Sequence, residues 1–145
     1  MASINYIKRN IFAQEPYRAS RSSAGYDLYA AILNPVYIKP GEVEKITTGL
    51  SIELPENTFG AIFPRSGLAT KKGLAPANMV GVCDADYRGE YIVALRNYSN
   101  ETQVVSPGDR IAQLIVLPYV DVTFNEVDQL NDTERGEGGF GHSGS

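Results

Sequence analysis

The side chains in this chain that could do chemistry are few and widely spaced. The densest group is Asn78-Met79-Val80-Gly81-Val82-Cys83-Asp84-Ala85-Asp86-Tyr87-Arg88-Gly89. Val80, Val82 and Cys83 suit one β-arm, and Tyr91, Ile92, Val93 and Leu95 suit its partner. Asp84, Asp86 and Gly89 supply turn chemistry between them. A hairpin of that size presents main-chain N–H and C=O groups at its mouth, where they can read the edge of a planar ligand as a base partner would. Asp84 at the lip is placed to accept a proton from a water, and Tyr87 offers a flat ring. An ordinary hairpin with a polar tip fits the same residues.

A second group is Pro64-Arg65-Ser66-Gly67-Leu68. An arginine followed by small residues suits an anion nest, and a short helical segment from Ser66 to Leu74 would add its N-terminus. A helix cap beside a surface arginine is the bland alternative. The run is no Walker loop, since it lacks the Gly-Lys-Ser/Thr ending. Arg110 and Gln113 lie in an otherwise apolar strand and need partners there. Structural hydrogen bonding is the default for both, and Gln113 has the better case for touching a ligand. Asp27, among apolar neighbours in Ala24 to Ala30, reads as a turn or surface group, or as a carboxylate satisfied by a hydrated cation. Arg135 and Phe140 stand in a glycine-rich end and suit a lid, with an arginine for charge and a ring for stacking.

The elements that must position these residues are strands. Nine Tyr, 14 Gly and 8 Pro, with many Val and Ile and weak helical periodicity, favour short strands and tight turns. Strands are expected over Ile4 to Ile11, Ala24 to Ala30, Val36 to Ile38, Val43 to Ile46, Leu50 to Leu54 and Phe59 to Phe63. Further strands are expected over Tyr91 to Asn97, Gln103 to Val105, Arg110 to Leu117 and Val120 to Leu130. That spacing suits an all-β sandwich or jelly roll. One core domain over 1–130 and a flexible glycine-rich lid over 131–145 are expected.

Thirteen basic and 17 acidic side chains give a net charge of −4, which argues against a general nucleic-acid surface. One cysteine, Cys83, allows no intrachain disulfide, and one histidine, His142, no histidine cluster. No apolar run approaches the ~20 residues of a membrane span, and Met1 to Asn10 has no signal-peptide core. An intracellular, cytoplasmic chain is expected, with a nucleus or a virus-infected cell as open alternatives.

Together these runs resemble the ordered motifs of the trimeric dUTPase family, the deoxyuridine triphosphate nucleotidohydrolases. The motifs appear as Ala24-Gly25-Tyr26-Asp27-Leu28, Pro64-Arg65-Ser66-Gly67-Leu68, Gly81 to Gly89, Arg110-Ile111-Ala112-Gln113-Leu114, and Arg135-Gly136-Glu137-Gly138-Gly139-Phe140-Gly141. The resemblance implies a jelly-roll-like subunit in a homotrimer, with each active site at a subunit interface and built from all three chains. It implies Mg²⁺-assisted hydrolysis of dUTP to dUMP and pyrophosphate, which keeps uracil out of DNA and supplies dUMP for thymidylate synthesis. By the resemblance, Asp84 activates the attacking water, Gln113 stands by the α-phosphate, and Arg65, Ser66 and Gly67 bind phosphate. Asp27 holds waters of an ion that rides mainly on the phosphates. Main chain of Gly81, Val82, Cys83 and Asp84, with Asn78 and Ile92, reads uracil, and Tyr87 packs on the deoxyribose and excludes a 2′-hydroxyl. Phe140 stacks on uracil, Arg135 reaches the terminal phosphate, and Gly141, His142 and Ser143 complete the lid.

Two positions depart from the pattern. His142-Ser143-Gly144 stands where many members have Ser-Thr-Gly, so His142 is expected to contact phosphate through an imidazole. Cys83 stands where an aliphatic residue is commoner and reads as a small hydrophobe, because no histidine base shares its motif. The rival enzyme is a dCTP deaminase, which should carry a glutamate as acid/base. The rival of another class is a regulatory protein that keeps the nucleotide site as a switch for a protein partner.

Overall fold

The computed structural model describes residues 3–141. Short β-branched and aromatic runs, each stopped by a Gly, Pro or Asn turn, form eleven strands and one short helix among those residues. The strands are β1 (Asn5–Lys8), β2 (Tyr26–Tyr29), β3 (Val36–Ile38), β4 (Val43–Thr47), β5 (Leu50–Glu53) and β6 (Thr58–Phe63). After α1 (Ser66–Lys72) come β7 (Leu74–Pro76), β8 (Gly81–Asp84), β9 (Ile92–Asn97), β10 (Gln103–Val105) and β11 (Arg110–Pro118). Every ladder is antiparallel. One sheet runs β2-β11-β6-β8, a second β4-β9-β7, and β1-β5 and β10-β3 form pairs. The all-β, jelly-roll-like architecture expected from the sequence is the one the chain adopts.

The core lies between these layers. Leu28, Ile38, Ile46, Leu95, Ile111 and Leu114 are buried there, contributed by five different strands. The longest strand, β11, is central to its sheet. It pairs with β2 on one side, Gln113 opposite Asp27, and with β6 on the other, Gln113 opposite Phe63. Because side chains alternate between faces along a strand, Gln113 and its two cross-strand neighbours share a face. That face carries the chemistry described below.

Three expectations are corrected. The first strand ends at Lys8, not Ile11, because the Asn10 side chain accepts the Phe12 N–H at 2.9 Å and turns the chain. The run Gly81–Asp84 and its return do not ladder with each other. β8 pairs with β6, whereas β9 pairs with β4 and β7. The return is captured at Tyr91, whose N–H donates to Leu50 O at 2.7 Å and whose carbonyl accepts the Thr48 hydroxyl at 2.7 Å. Residues 120–130 form no strand: Val120, Val122, Phe124 and Leu130 are 60–94% exposed, and among the described residues the run joins no ladder.

Candidate active site

Asp27 is the anchor of the main polar cleft. Its main chain is pinned to the preceding loop, exchanging hydrogen bonds with Tyr17 at 2.7 and 3.2 Å. Its carboxylate is only 14% exposed and accepts from two arginines. Arg65 Nε donates to Oδ1 at 2.8 Å and Arg110 Nη1 to Oδ2 at 3.2 Å. Charge-assisted pairs of this kind hold both guanidinium groups in place before any ligand arrives.

The local fold explains why these residues meet. Arg65 comes two residues after β6 ends, so it leaves the sheet beside Gln113. Arg110 and Gln113 are an odd number of residues apart and would face opposite sides of a regular strand. A β-bulge between Arg110 and Ala112 shifts the register and turns both toward one cleft. The cleft is about 350 Å³ and is lined by Gly25, Asp27, Arg65, Ser66, Arg110 and Gln113, among others. Gln113 Nε2 donates to Pro64 O at 2.9 Å, which orients the amide. Gly25 is required for that orientation, since a Cβ there would overlap Gln113 Oε1.

The helix α1 opens directly on this cleft. Arg65 occupies its N-cap position without a side-chain cap, and the first intrahelical bond runs from Ala69 N–H to Arg65 O. The N–H groups of Ser66, Gly67 and Leu68 therefore have no intrahelical acceptor and suit an anion. A Cβ on Gly67 would meet nothing within 4 Å, so its lack of a side chain leaves room for a ligand's approach. Sequence reasoning gave Arg110 structural hydrogen bonding by default and did not place it in the site. Its position opening a motif run was the available signal, but its odd spacing from Gln113 hid the shared face.

Asp84, at the end of β8, lines a different cleft of about 790 Å³ with Val82, Asp86 and Tyr119. β8 is an edge strand, so one side of its ladder is open, and Ile92 and Val93 of β9 pair with β4 alone. Asn78 approaches this strand from a turn. Its Nδ2 lies 3.4 Å from where a Gly81 Cβ would sit. Tyr87 is half exposed and stacks on buried Tyr91, their ring centroids 6.1 Å apart. Burial pushes the Cys83 thiol up from its ordinary value, more than the neighbouring Tyr91 hydroxyl pulls it down. A raised thiol pKa favours the neutral form, which suits a packing group.

The residues thus form two groups that one chain does not join. Asp27, Arg65, Ser66, Gly67 and Gln113 share one cleft, and Asp84 and Val82 share another. Arg135, Phe140 and Gly141 belong to neither. Arg135 Nε donates to Gly138 O at 2.7 Å within a local turn, and the Phe140 ring is fully exposed. His142 and Ser143 lie outside the described residues.

The dUTPase family model matches residues 13–144. The chain belongs to the dUTPase family. The deoxyuridine 5′-triphosphate nucleotidohydrolase of Desulfitobacterium hafniense is 49% identical over 142 residues, which cover 97% of this chain and 94% of that protein. Among solved structures, a mutant dUTPase of Staphylococcus bacteriophage 80alpha with dUpNHpp superposes with a TM-score of 0.87 at 25% identity, each chain fully covered. A mutant dUTPase from phage phi11 of S. aureus superposes at 0.83, covering 90% of this chain and all of its own. It is 22% identical, so its likeness concerns the fold, and it was described for the coordination of a structural Mg(II) ion.

Proposed function

We propose that this chain hydrolyses dUTP to dUMP and pyrophosphate in a homotrimer whose active sites lie between subunits. The observation that carries the reading is the first cleft, where motif residues 86 positions apart in sequence converge on one anion-shaped basket. Relatives bearing the name of this activity, and a neighbouring structure solved with a dUTP analogue, support it.

In this mechanism the basket of one subunit takes the triphosphate. Arg65, Arg110 and the N–H groups of Ser66 and Gly67 balance its charge, and Gln113 stands at the α-phosphate. A second subunit supplies the open edges of β8 and β9. Main chain from Gly81 to Asp84, Ile92 and the Asn78 amide pair with uracil, which leaves cytosine mismatched and thymine's methyl without room. Tyr87 covers the deoxyribose and occludes a 2′-hydroxyl. Asp84 takes a proton from the water that attacks the α-phosphorus. A new bond forms from the water oxygen to phosphorus, the bond to the bridging oxygen breaks, and pyrophosphate leaves. A third subunit lays Arg135, Phe140, Gly141, His142 and Ser143 over the nucleotide, and the chain divides into a core over 1–130 and a lid over 131–145.

The residues present fit a substrate-borne Mg²⁺. Among the described residues no three carboxylate, histidine or thiol groups converge. Asp27 is the carboxylate of the basket, and both its oxygens already accept from arginines. That donor set suits a carboxylate that orders the ion's waters, and the ion when bound would neutralise phosphate charge. Among the described residues no helix is long and apolar enough to cross a membrane; we place the enzyme in the cytoplasm, near the nucleotide pool it would clear.

Pyrophosphate release from dUTP, dCTP, dTTP and UTP, with Mg²⁺ and with chelator, tests the reading. Metal-dependent release from dUTP alone is expected. Release from none, with dUTP still bound, would favour the regulatory class and a search for a protein partner.

A further inference from the structure

The four residues after Tyr87 are each tied down, and one of the ties comes from an unexpected place. Arg88 O accepts from Arg9 Nη2 at 3.0 Å. Gly89 O accepts the Ser51 hydroxyl at 2.9 Å, and Arg9 Nε donates to that same Ser51 oxygen at 2.9 Å. The Glu90 carboxylate accepts the Thr47 hydroxyl. Tyr91 is held through both its backbone groups by Leu50 and Thr48. Tyr87 is seated against this fixed segment. Its hydroxyl donates to Glu90 O at 3.0 Å, its ring stacks on Tyr91, and a Cβ on Gly89 would overlap the hydroxyl. Thr47, Thr48, Leu50 and Ser51 all belong to the β4–β5 corner, whereas Arg9 reaches in from the end of β1.

We propose that Arg9 is a positioning residue for sugar selection: with Ser51 it fixes Arg88 and Gly89, the two residues directly after Tyr87, so that Tyr87 stands where a ribose 2′-hydroxyl would collide. The inference rests on the proposed dUTP reading and deepens it, because none of the family motifs includes Arg9 or Ser51. A guanidinium suits the task. Its fork gives one donor to a hydroxyl and another to a carbonyl, joining β1, β5 and the loop through a single rigid group. Arg9 makes no contact with either cleft of the proposed site, so it acts only through the loop.

The test compares kcat and KM for dUTP and UTP in the wild type, Arg9→Ala, Arg9→Lys and Ser51→Ala. Arg9→Ala is expected to lower the preference for dUTP roughly tenfold, mostly through KM, as Tyr87 gains freedom. Arg9→Lys, with a single point donor, should fall between. A role in folding alone would lower both substrates equally, and a preference unchanged from wild type overturns the inference. Should Arg9→Ala not fold, Ser51→Ala decides by the same ratio, since it loses only one hydroxyl. A wild type that releases no pyrophosphate from dUTP removes the functional reading and this inference with it. A wild type selective for dUTP whose variants keep the full preference overturns the inference alone.

Discussion

Gly25 shows how a residue with no side chain can set the orientation of another. Its missing Cβ is the space that the Gln113 amide occupies. Gly25→Ala is expected to displace that amide and lower kcat on the order of a hundredfold, with the melting temperature little changed, as kinetics beside a thermal melt would show. Arg110 shares Asp27 with Arg65. Arg110→Ala should therefore raise KM for dUTP about tenfold and leave the fold intact. Tyr91 makes a different kind of prediction. Among the described residues its buried hydroxyl makes no hydrogen bond of normal geometry and has only the Cys83 thiol nearby; burial, reinforced by that thiol, pushes its pKa up. The folded chain thus holds the phenol proton more tightly than the unfolded chain. The associated stability is intact below the ordinary tyrosine value of about 10 and is lost as pH rises from there toward the folded value. Thermal melts between neutral and strongly alkaline pH should show that loss in wild type and a weaker one in Tyr91→Phe. At neutral pH the same variant should stay within about 1 kcal/mol of wild type, because no bond is broken. The chemical types of Asp84, Arg65 and Gln113 were legible in sequence; Arg110 was not, because a bulge is needed to bring it round.

At the scale of elements, the strands with clean alternation were legible and the pairing of the central run was not. Gly81–Asp84 and Ile92–Asn97 look like the two arms of one hairpin, but each finds a better ladder elsewhere. The last three of the seven intervening residues, Gly89 to Tyr91, are held by the β4–β5 corner, and the facing edges are left without ladder partners. In the proposed mechanism those free edges are what reads uracil. The run Val120 to Leu130 fails for a related reason. Its apolar residues suit a strand, but a strand needs a neighbour, and among the described residues the run docks on none of the open edges. The segment 131–141 is exposed along nearly its whole length. Deleting residues 131–145 should leave the melting temperature within a few degrees while abolishing dUTP hydrolysis, because the segment adds little burial and, in the proposed site, all of the lid.

The whole molecule is where the two clefts must be reconciled. The two clefts sit apart on one chain, and the proposed site, which needs both, borrows one from a neighbour. Chains carrying Arg65→Ala and chains carrying Asp84→Asn should each be inactive alone. Unfolded together and refolded as a mixture, they should regain roughly a quarter of wild-type activity, because each mixed trimer holds one site in which both residues are intact. No recovery, from a mixture shown by mass to contain hybrid trimers, would place both halves of the site on the same chain.

Composition and motif order alone determined the all-β class, the residue types of the site and the family, because turn chemistry, alternation and charged side chains at fixed intervals are local properties of the chain. The tertiary structure decided which strands pair, that Asp27 clamps Arg65 and Arg110, that a bulge turns Arg110 inward, and that Arg9 braces the loop behind Tyr87. The side-chain contacts among these join partners 38, 79 and 83 residues apart. Contacts at such distances are fixed only when the sheets close on a common core, which no local pattern records.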